Sequence, residues 1–282
     1  MQTANEGLSE ANFDRLRTLI HSETGISLSP EKRTMLEIRV KRRLRGLAQF
    51  RSYADYCDYV FTADGRRREL VFLIDAVTTN KTDFFREPDH FEYLVSKALP
   101  ELAVRFGTSR QCLVWSAGCS TGEEPYTLAM VLNDYAATHP GFRYRVLATD
   151  ICTEVLSKAK LGIYKSEAVR PVPQNLRTRY FMRSRDAGSD LVRVVPELRS
   201  RVEFRRLNFM DTDYAISEQP EIVFCRNVII YFDRPTQVRL IGKLARHLAP
   251  GGYLFAGHSE CLQNMDVPLV SAGVAVYRKK ES

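Results

Sequence analysis

From about residue 113 onward the chain repeats one pattern: a short apolar run ending at a glycine or an acid, then a stretch with helical spacing. Leu113-Val114-Trp115-Ser116-Ala117 ends at Gly118, and a glycine-containing turn leads into a helix carrying Tyr126, Leu128, Ala129 and Leu132. Arg145-Val146-Leu147-Ala148-Thr149-Asp150 is a second strand, closed by an acid and again followed by a helix. Glu221-Ile222-Val223-Phe224-Cys225 and Tyr253-Leu254-Phe255-Ala256 are further strands, separated by a helical segment over residues 235–248, and a last strand is expected over 275–278. Continuous apolar strands alternating with helices require a parallel sheet covered on both faces. The expected fold class is therefore α/β, a doubly wound, mostly parallel, Rossmann-like sheet.

The residues before this region follow different rules. Residues 12–24 carry Phe13, Leu16, Leu19 and Ile20 at helical spacing and stop at Gly25. Ser29-Pro30 starts a second helix, which reaches about Leu44 with the apolar stripe Leu36, Val40, Leu44 and Leu47. Further helices are expected over 52–61 and 67–77. One stretch, about 169–204, breaks the later alternation with Pro171, Pro173, Gly188 and the β-like run Leu191-Val192-Arg193-Val194-Val195, and reads as an inserted antiparallel β subdomain. The expected organisation is a small all-α domain over 1–80, a linker over 81–95 and a larger domain over 96–282 containing the insertion.

Composition removes several classes. A chain of 282 residues buries a core without disulfide or metal staples. No run of about 18 apolar residues occurs, so no membrane-spanning helix is expected. The start MQTANEGLSE lacks a basic segment followed by an apolar one, so export is not expected. The 6 cysteines form no CxxC pair and the 5 histidines have no metal-ligand spacing, which points to reduced, largely structural thiols in a cytoplasmic protein without a metal. The excess of 41 basic over 34 acidic residues, net +7, suits an anionic partner of any kind.

The turn Gly118-Cys119-Ser120-Thr121-Gly122-Glu123-Glu124-Pro125-Tyr126 stands where a doubly wound sheet holds its ligand. It has neither the GxGxxG of dinucleotide sites nor the GKS/T of a P-loop. Its acids Glu123 and Glu124 would repel a pyrophosphate and suit a ligand bearing positive charge, such as a sulfonium with an α-ammonium group. Asp150, at the end of the next strand, is placed to accept from ribose hydroxyls. Glycine turn, acidic turn and strand-end acid together suggest S-adenosylmethionine. A plain helix start, with Ser120 or Thr121 as cap and the glutamates complementing the helix dipole, accounts for the same residues and is compatible with it.

Three more motifs accompany that turn: Thr78-Thr79-Asn80-Lys81-Thr82-Asp83-Phe84-Phe85-Arg86-Glu87, Phe224-Cys225-Arg226-Asn227-Val228-Ile229-Ile230-Tyr231-Phe232-Asp233, and Gly257-His258-Ser259-Glu260. In this order the four motifs closely resemble the bacterial chemotaxis receptor methyltransferases, the CheR family, over nearly the whole chain. The resemblance implies an S-adenosylmethionine-dependent methyltransferase fold and transfer of a methyl group to glutamate side chains of methyl-accepting chemotaxis receptors. The products are glutamate methyl esters and S-adenosylhomocysteine. It further implies that Asn80, Thr82 and Arg86 contact the cofactor from the linker, and that Glu124, with Glu123 beside it, holds its cationic or polar end. Asp150 takes the ribose, Asn208-Phe209 flanks the adenine, and Cys225-Arg226 contributes through backbone. Arg86 and Tyr231 are the expected pair at the reaction site.

A glutamate carboxylate is ionised near neutral pH, its ordinary pKa being about 4.3, so it needs no general base. The absence of a His/Asp or Cys/His constellation agrees with that. On the helix after Ser29, Lys32, Arg39 and Arg43 follow one flank with Arg42 beside them, and given the resemblance this flank is the expected contact for glutamate-rich receptor helices. The segment Gly188 to Val195 is the expected edge for adding a receptor C-terminal peptide as a strand. A monomer with no nucleic-acid partner and no membrane insertion is expected. Two other readings of the net charge and cofactor turn exist. A nucleic-acid methyltransferase would want an N/D-P-P-Y/F pocket, for which Asn227-Val228-Ile229-Ile230-Tyr231 is a poor substitute. A non-catalytic adaptor would bind the cofactor without turnover.

Overall fold

The structure is a computed structural model that describes residues 7–47, 49–50, 52–107, 111–186 and 188–281. The first residues of the segment read above for an export signal lie outside this range. Four helices come first: α1 (Glu10–Thr24), α2 (Arg33–Leu44, entered through a 3-10 turn Pro30–Lys32), α3 (Tyr53–Val60) and α4 (Ala63–Val77). Ser9, Ser52 and Thr62 cap α1, α3 and α4 by accepting backbone N–H groups, and Gly25 ends α1 in the left-handed conformation that glycine adopts at no steric cost. The apolar stripes close into one core containing Leu16, Ile20, Leu36, Val40, Tyr56 and Leu73, with Leu44 and Leu47 at its margin. A helical stretch follows as α5 (Asp89–Tyr93), a π-helical turn Leu94–Ala98 and α6 (Leu99–Phe106).

The remaining elements are β1 (Gln111–Ala117), α7 (Glu123–Thr138), β2 (Arg143–Asp150), α8 (Thr153–Leu161), β3 (Ile163–Lys165), α9 (Gln174–Tyr180), β4 (Phe181–Arg183), β5 (Leu191–Val194), α10 (Pro196–Arg199) and β6 (Val202–Arg206). After them come β7 (Ile222–Cys225), α11 (Arg234–His247), β8 (Tyr253–Ala256), β9 (Leu269–Gly273) and β10 (Val276–Lys279). Seven strands form one sheet in the order β6-β2-β1-β7-β8-β10-β9. The first five run parallel, and β10 pairs antiparallel with both β8 and β9. Successive strand residues point to opposite faces. Val114, Ile222, Phe224 and Phe255 pack with Leu128, Leu132 and Leu94 on one side, while Leu113, Trp115, Val223 and Leu254 pack with Leu240, Ile241 and Leu244 of α11 on the other. This is the doubly wound, mostly parallel sheet expected from the alternation.

The insertion differs in its bounds. Its three-stranded antiparallel sheet has the order β3-β5-β4, so it begins with Ile163, before the first proline of the segment. Residues 202–204, expected inside the insertion, belong to β6 and pair parallel with β2 at the edge of the large sheet. Leu191–Val194 is the central strand, paired on both sides, and therefore offers no free edge to an added peptide. The unpaired edges are β3 and β4. A β-like run in sequence reports extended backbone and says nothing about which strand ends up in the middle.

Candidate active site

The sheet order reverses between β1 and β7, so the chain leaving their carboxyl ends diverges to opposite sides and opens a crevice, the place where such sheets hold ligands. A cavity of about 270 Å³ lies there. Its wall includes Gly118 and Ser120 after β1, Asp150 at the end of β2, Asn208 and Phe209 after β6, and Arg226 to Val228 after β7. The other wall comes from the helical part and the linker.

The turn after β1 is built around two glycines with positive φ, Gly118 at 90° and Gly122 at 99°. A β-carbon on Gly118 would come within 2.6 Å of Val228 Cγ2, so the approach of these two loops requires glycine. The Thr149 carbonyl accepts the N–H groups of both Gly118 (2.8 Å) and Cys119 (2.9 Å). Ser120 donates its N–H to Asp150 Oδ2 (2.8 Å) and its hydroxyl to the Asn80 carbonyl (2.7 Å), tying the turn to β2 and to the linker. Asp150 Oδ1 accepts from the Cys152 N–H at 2.9 Å. Burial pushes the Asp150 carboxyl up, and these N–H groups act against that rise. Asp150 lines the cavity, and a carboxylate has more acceptor sites than these N–H groups use.

Glu124 stands in the first turn of α7, where the positive end of the helix dipole favours an acid. It accepts from Ser116 Oγ (2.7 Å) and from Arg226 Nε (2.8 Å) and lines the cavity. Glu123 accepts from Thr121 Oγ1 instead and stands outside the cavity wall, its carboxyl pushed up by burial. Arg226 contributes far more than backbone. Its guanidinium donates to the Arg86 carbonyl (2.7 Å), meets His90 Nδ1 at 3.1 Å, stands 3.6 Å from Glu87 Oε2 and lies over the rings of Phe91 and Phe224. Burial first, then the Arg226 charge, lowers the His90 pKa to about 4. Ligand-type atoms of Glu87, His90 and His258 lie within 4.8 Å of one another, and Arg226 supplies positive charge against two of these residues.

Asn80, Thr82 and Arg86 line the linker side, with Arg86 Nη1 donating to the Lys81 carbonyl at 3.2 Å. Tyr231 lines the cavity at the end of the 3-10 turn Ile229–Tyr231, and its carbonyl accepts the Ser27 N–H at 2.9 Å. Asn208 spends its side-chain amide on the Glu23 carbonyl at the end of α1 (2.6 Å), while the half-buried Phe209 lines the cavity. Cys225 is fully buried in β7 on the sheet face that meets α11 and is not part of that wall, which Arg226 beside it joins.

The basic flank of α2 also needs correction. Arg39 turns inward, donating to the carbonyls of Val77 and Thr78 (2.9 Å) at the end of α4 and to Thr79 Oγ1, and it lines the cavity. Arg43 makes a two-pronged pair with Glu69, which is 4% exposed, and covers Phe72. Both are held within the fold. The exposed cations of this region are Lys32, Arg33, Lys41, Arg42 and Arg45. Glu87, His90, Asn227 and Glu260 were given no role from sequence, although three of them stand inside the motifs that carried the resemblance. Five of the six cysteines are buried, as expected for structural thiols, and Cys261 is exposed. Among the described residues no helix is long and apolar enough to cross a membrane.

Residues 11–78 match the family described as CheR methyltransferase, all-alpha domain, and residues 80–276 match CheR methyltransferase, SAM binding domain. The "Chemotaxis protein methyltransferase" of Escherichia coli is 42% identical over 278 residues, covering 98% of this chain and 93% of that one. The protein of the same name from Borreliella burgdorferi is 36% identical over 262 residues, covering 92% and 91%. The "Chemotaxis protein methyltransferase 2" of Pseudomonas aeruginosa is 38% identical over 266 residues, covering 94% and 92%. With both family domains matched in order around a cavity whose walls they share, this chain belongs to the CheR methyltransferase family.

Proposed function

We propose that the chain transfers the methyl group of S-adenosylmethionine to glutamate side chains of methyl-accepting chemotaxis receptors in the cytoplasm, giving glutamate methyl esters and S-adenosylhomocysteine for sensory adaptation. The observation that carries this reading is the acid-bearing cavity at the reversal of the sheet, in a chain of this family. Its wall suits that cofactor chemically: carboxylates at Asp150 and Glu124, short polar groups at Asn80 and Thr82, and an apolar side at Ile151, Leu207 and Phe209. In this reading Asp150 accepts from the ribose hydroxyls, and Phe209 with Asn208 flanks the adenine. Glu124, Asn80, Thr82 and Arg86 hold the amino-acid end, and Arg226 holds Glu124. The cofactor supplies an electrophilic methyl group on a sulfonium.

What remains for the protein is alignment within about 3–3.5 Å of that carbon. Arg86 orients the incoming carboxylate through charge-assisted hydrogen bonds, and Tyr231 offers a hydroxyl and a ring face beside it. No side chain has to remove a proton. The exposed Lys32, Lys41, Arg42 and Arg45 present positive charge to a glutamate-rich helix, and a receptor C-terminal peptide adds to β3 or β4 of the small sheet.

Labelled S-adenosylmethionine incubated with the chain and receptor-bearing membranes is expected to leave base-labile methyl groups on the receptor. Tyr231→Phe lowers turnover by about tenfold or more while S-adenosylhomocysteine still binds, the pattern of an interaction made in the transition state. Label on nucleic acid, or cofactor binding with no transfer at all, overturns the reading.

A further inference from the structure

The loop after β7 takes Asn227 and Val228 into the cavity wall and then winds into the 3-10 turn that ends at Tyr231. It does so through an unfavourable backbone: Asn227 has φ 57°. Three N–H groups around this loop converge on one carboxylate, that of Glu260. Asn227 donates to Oε2 at 2.7 Å, Ile229 donates to Oε1 at 2.8 Å, and Gly257, from the loop after β8, donates to Oε2 at 2.6 Å. Glu260 is 3% exposed and does not line the cavity. A β-carbon on Gly257 would stand 2.6 Å from Asn227 Nδ2 and 2.9 Å from Glu260 Oε2, so the two loops close tightly over this group.

A carboxylate is the one side chain that offers acceptors at both oxygens and no donor, which is what three converging N–H groups require. The lengths are those of charge-assisted bonds. Ile229 is the first residue of the 3-10 turn, so Oε1 caps the turn that carries Tyr231, while Oε2 anchors the strained residue before it. We propose that Glu260 is a positioning residue for methyl transfer: its buried carboxylate fixes the loop from Asn227 to Tyr231 and thereby sets where Tyr231 stands in the cavity. The inference rests on the reading of Tyr231 as a reaction-site group. It assigns Glu260 no contact with cofactor or substrate.

Glu260→Gln keeps the shape but turns an NH₂ group against at least one backbone N–H. The test compares the full chain with E260Q, Y231F and the double variant, using labelled S-adenosylmethionine and a chemoreceptor cytoplasmic fragment, with S-adenosylhomocysteine affinity as the measure of an intact cofactor cavity. Small misplacement at a reacting centre costs up to about a hundredfold, so E260Q is expected to lower kcat by about tenfold or more with the S-adenosylhomocysteine Kd within about threefold. Because Glu260 acts through Tyr231, the double variant is expected to be no more than about threefold slower than Y231F alone. Should E260Q not fold, Glu260→Asp, which keeps the charge on a shorter arm, takes its place in the same cycle. Wild-type kcat in the Glu260 variant beside a slow Y231F, or losses that multiply fully in the double variant, overturns the inference alone. Wild-type turnover in Y231F overturns the reading of Tyr231 and the inference with it.

Discussion

The buried imidazole of His90 is expected to make the protein lose stability in mild acid. The ring is 1% exposed, packs edge-on against Phe255, and meets the Arg226 guanidinium with Nδ1 at 3.1 Å, a contact that only the unprotonated nitrogen can accept. Burial and then Arg226 lower its pKa from 6.5 to about 4, while Glu87 and Asp89 act in the opposite direction and His258 adds to the lowering. The unfolded chain therefore binds this proton near pH 6.5 and the folded chain only near pH 4. The stabilisation is complete above pH 6.5 and is lost as the pH falls from there toward 4. At pH 5 the unfolded histidine lies about 1.5 units below its pKa, and at 1.36 kcal/mol per unit the loss relative to pH 7 is about 2 kcal/mol. Urea unfolding of the wild type and of His90→Gln at pH 7 and pH 5 measures it. The variant's own cost appears at both pH values and cancels in the comparison, and pH 5 lies above the ordinary carboxylate pKa values. The wild type is expected to lose about 2 kcal/mol more than the variant between the two pH values. Equal losses would refute a neutral buried His90.

Three further variants test packing and charge elsewhere in the fold. Arg43→Ala leaves the buried Glu69 carboxylate with the Tyr56 hydroxyl (3.1 Å) but no cation and is expected to cost about 3–5 kcal/mol of unfolding free energy, whereas reversing the exposed Lys41, Arg42 and Arg45 to Glu costs less stability and slows receptor methylation most at low salt. Gly118→Ala forces a β-carbon to 2.6 Å from Val228 at a φ of 90°, a strain of about 1–3 kcal/mol, and titration calorimetry is expected to show S-adenosylhomocysteine affinity reduced by about tenfold or more.

The sheet was legible because its strands are buried on both faces. Leu113 to Ala117, interrupted only by Ser116, and Ile222 to Cys225 read as apolar runs, and the residues that follow them, Gly118 and Arg226, line the cavity. The small sheet was less legible. Ile163–Lys165 and Phe181–Arg183 are three residues each, too short for a period-two pattern to stand out, and only the longer Leu191–Val194 showed itself. β6 was misplaced for a related reason. Val202 to Arg206 alternates like an edge strand, and the pairing with β2 that places it in the large sheet depends on contacts absent from its own sequence.

The charged residues mark the point where spacing stops being informative. Helical periodicity groups Lys32, Arg39 and Arg43 on one flank, but it cannot say whether that flank meets water or another helix. Arg39 and Arg43 meet the end of α4 and the buried Glu69. Arg226 is the same case in a loop: it reads as one polar letter in a motif, yet its side chain joins Glu124 on α7 to the carbonyl of Arg86 on the linker. A buried cation is tolerated only where carboxylates and carbonyls satisfy it, so its position identifies the parts of the site that have to stay together. By that criterion the site is one unit spanning the linker, α7 and the loop after β7. Under the proposed function, the positive charge available to a receptor is reduced to the side chains that remain exposed on and around α2.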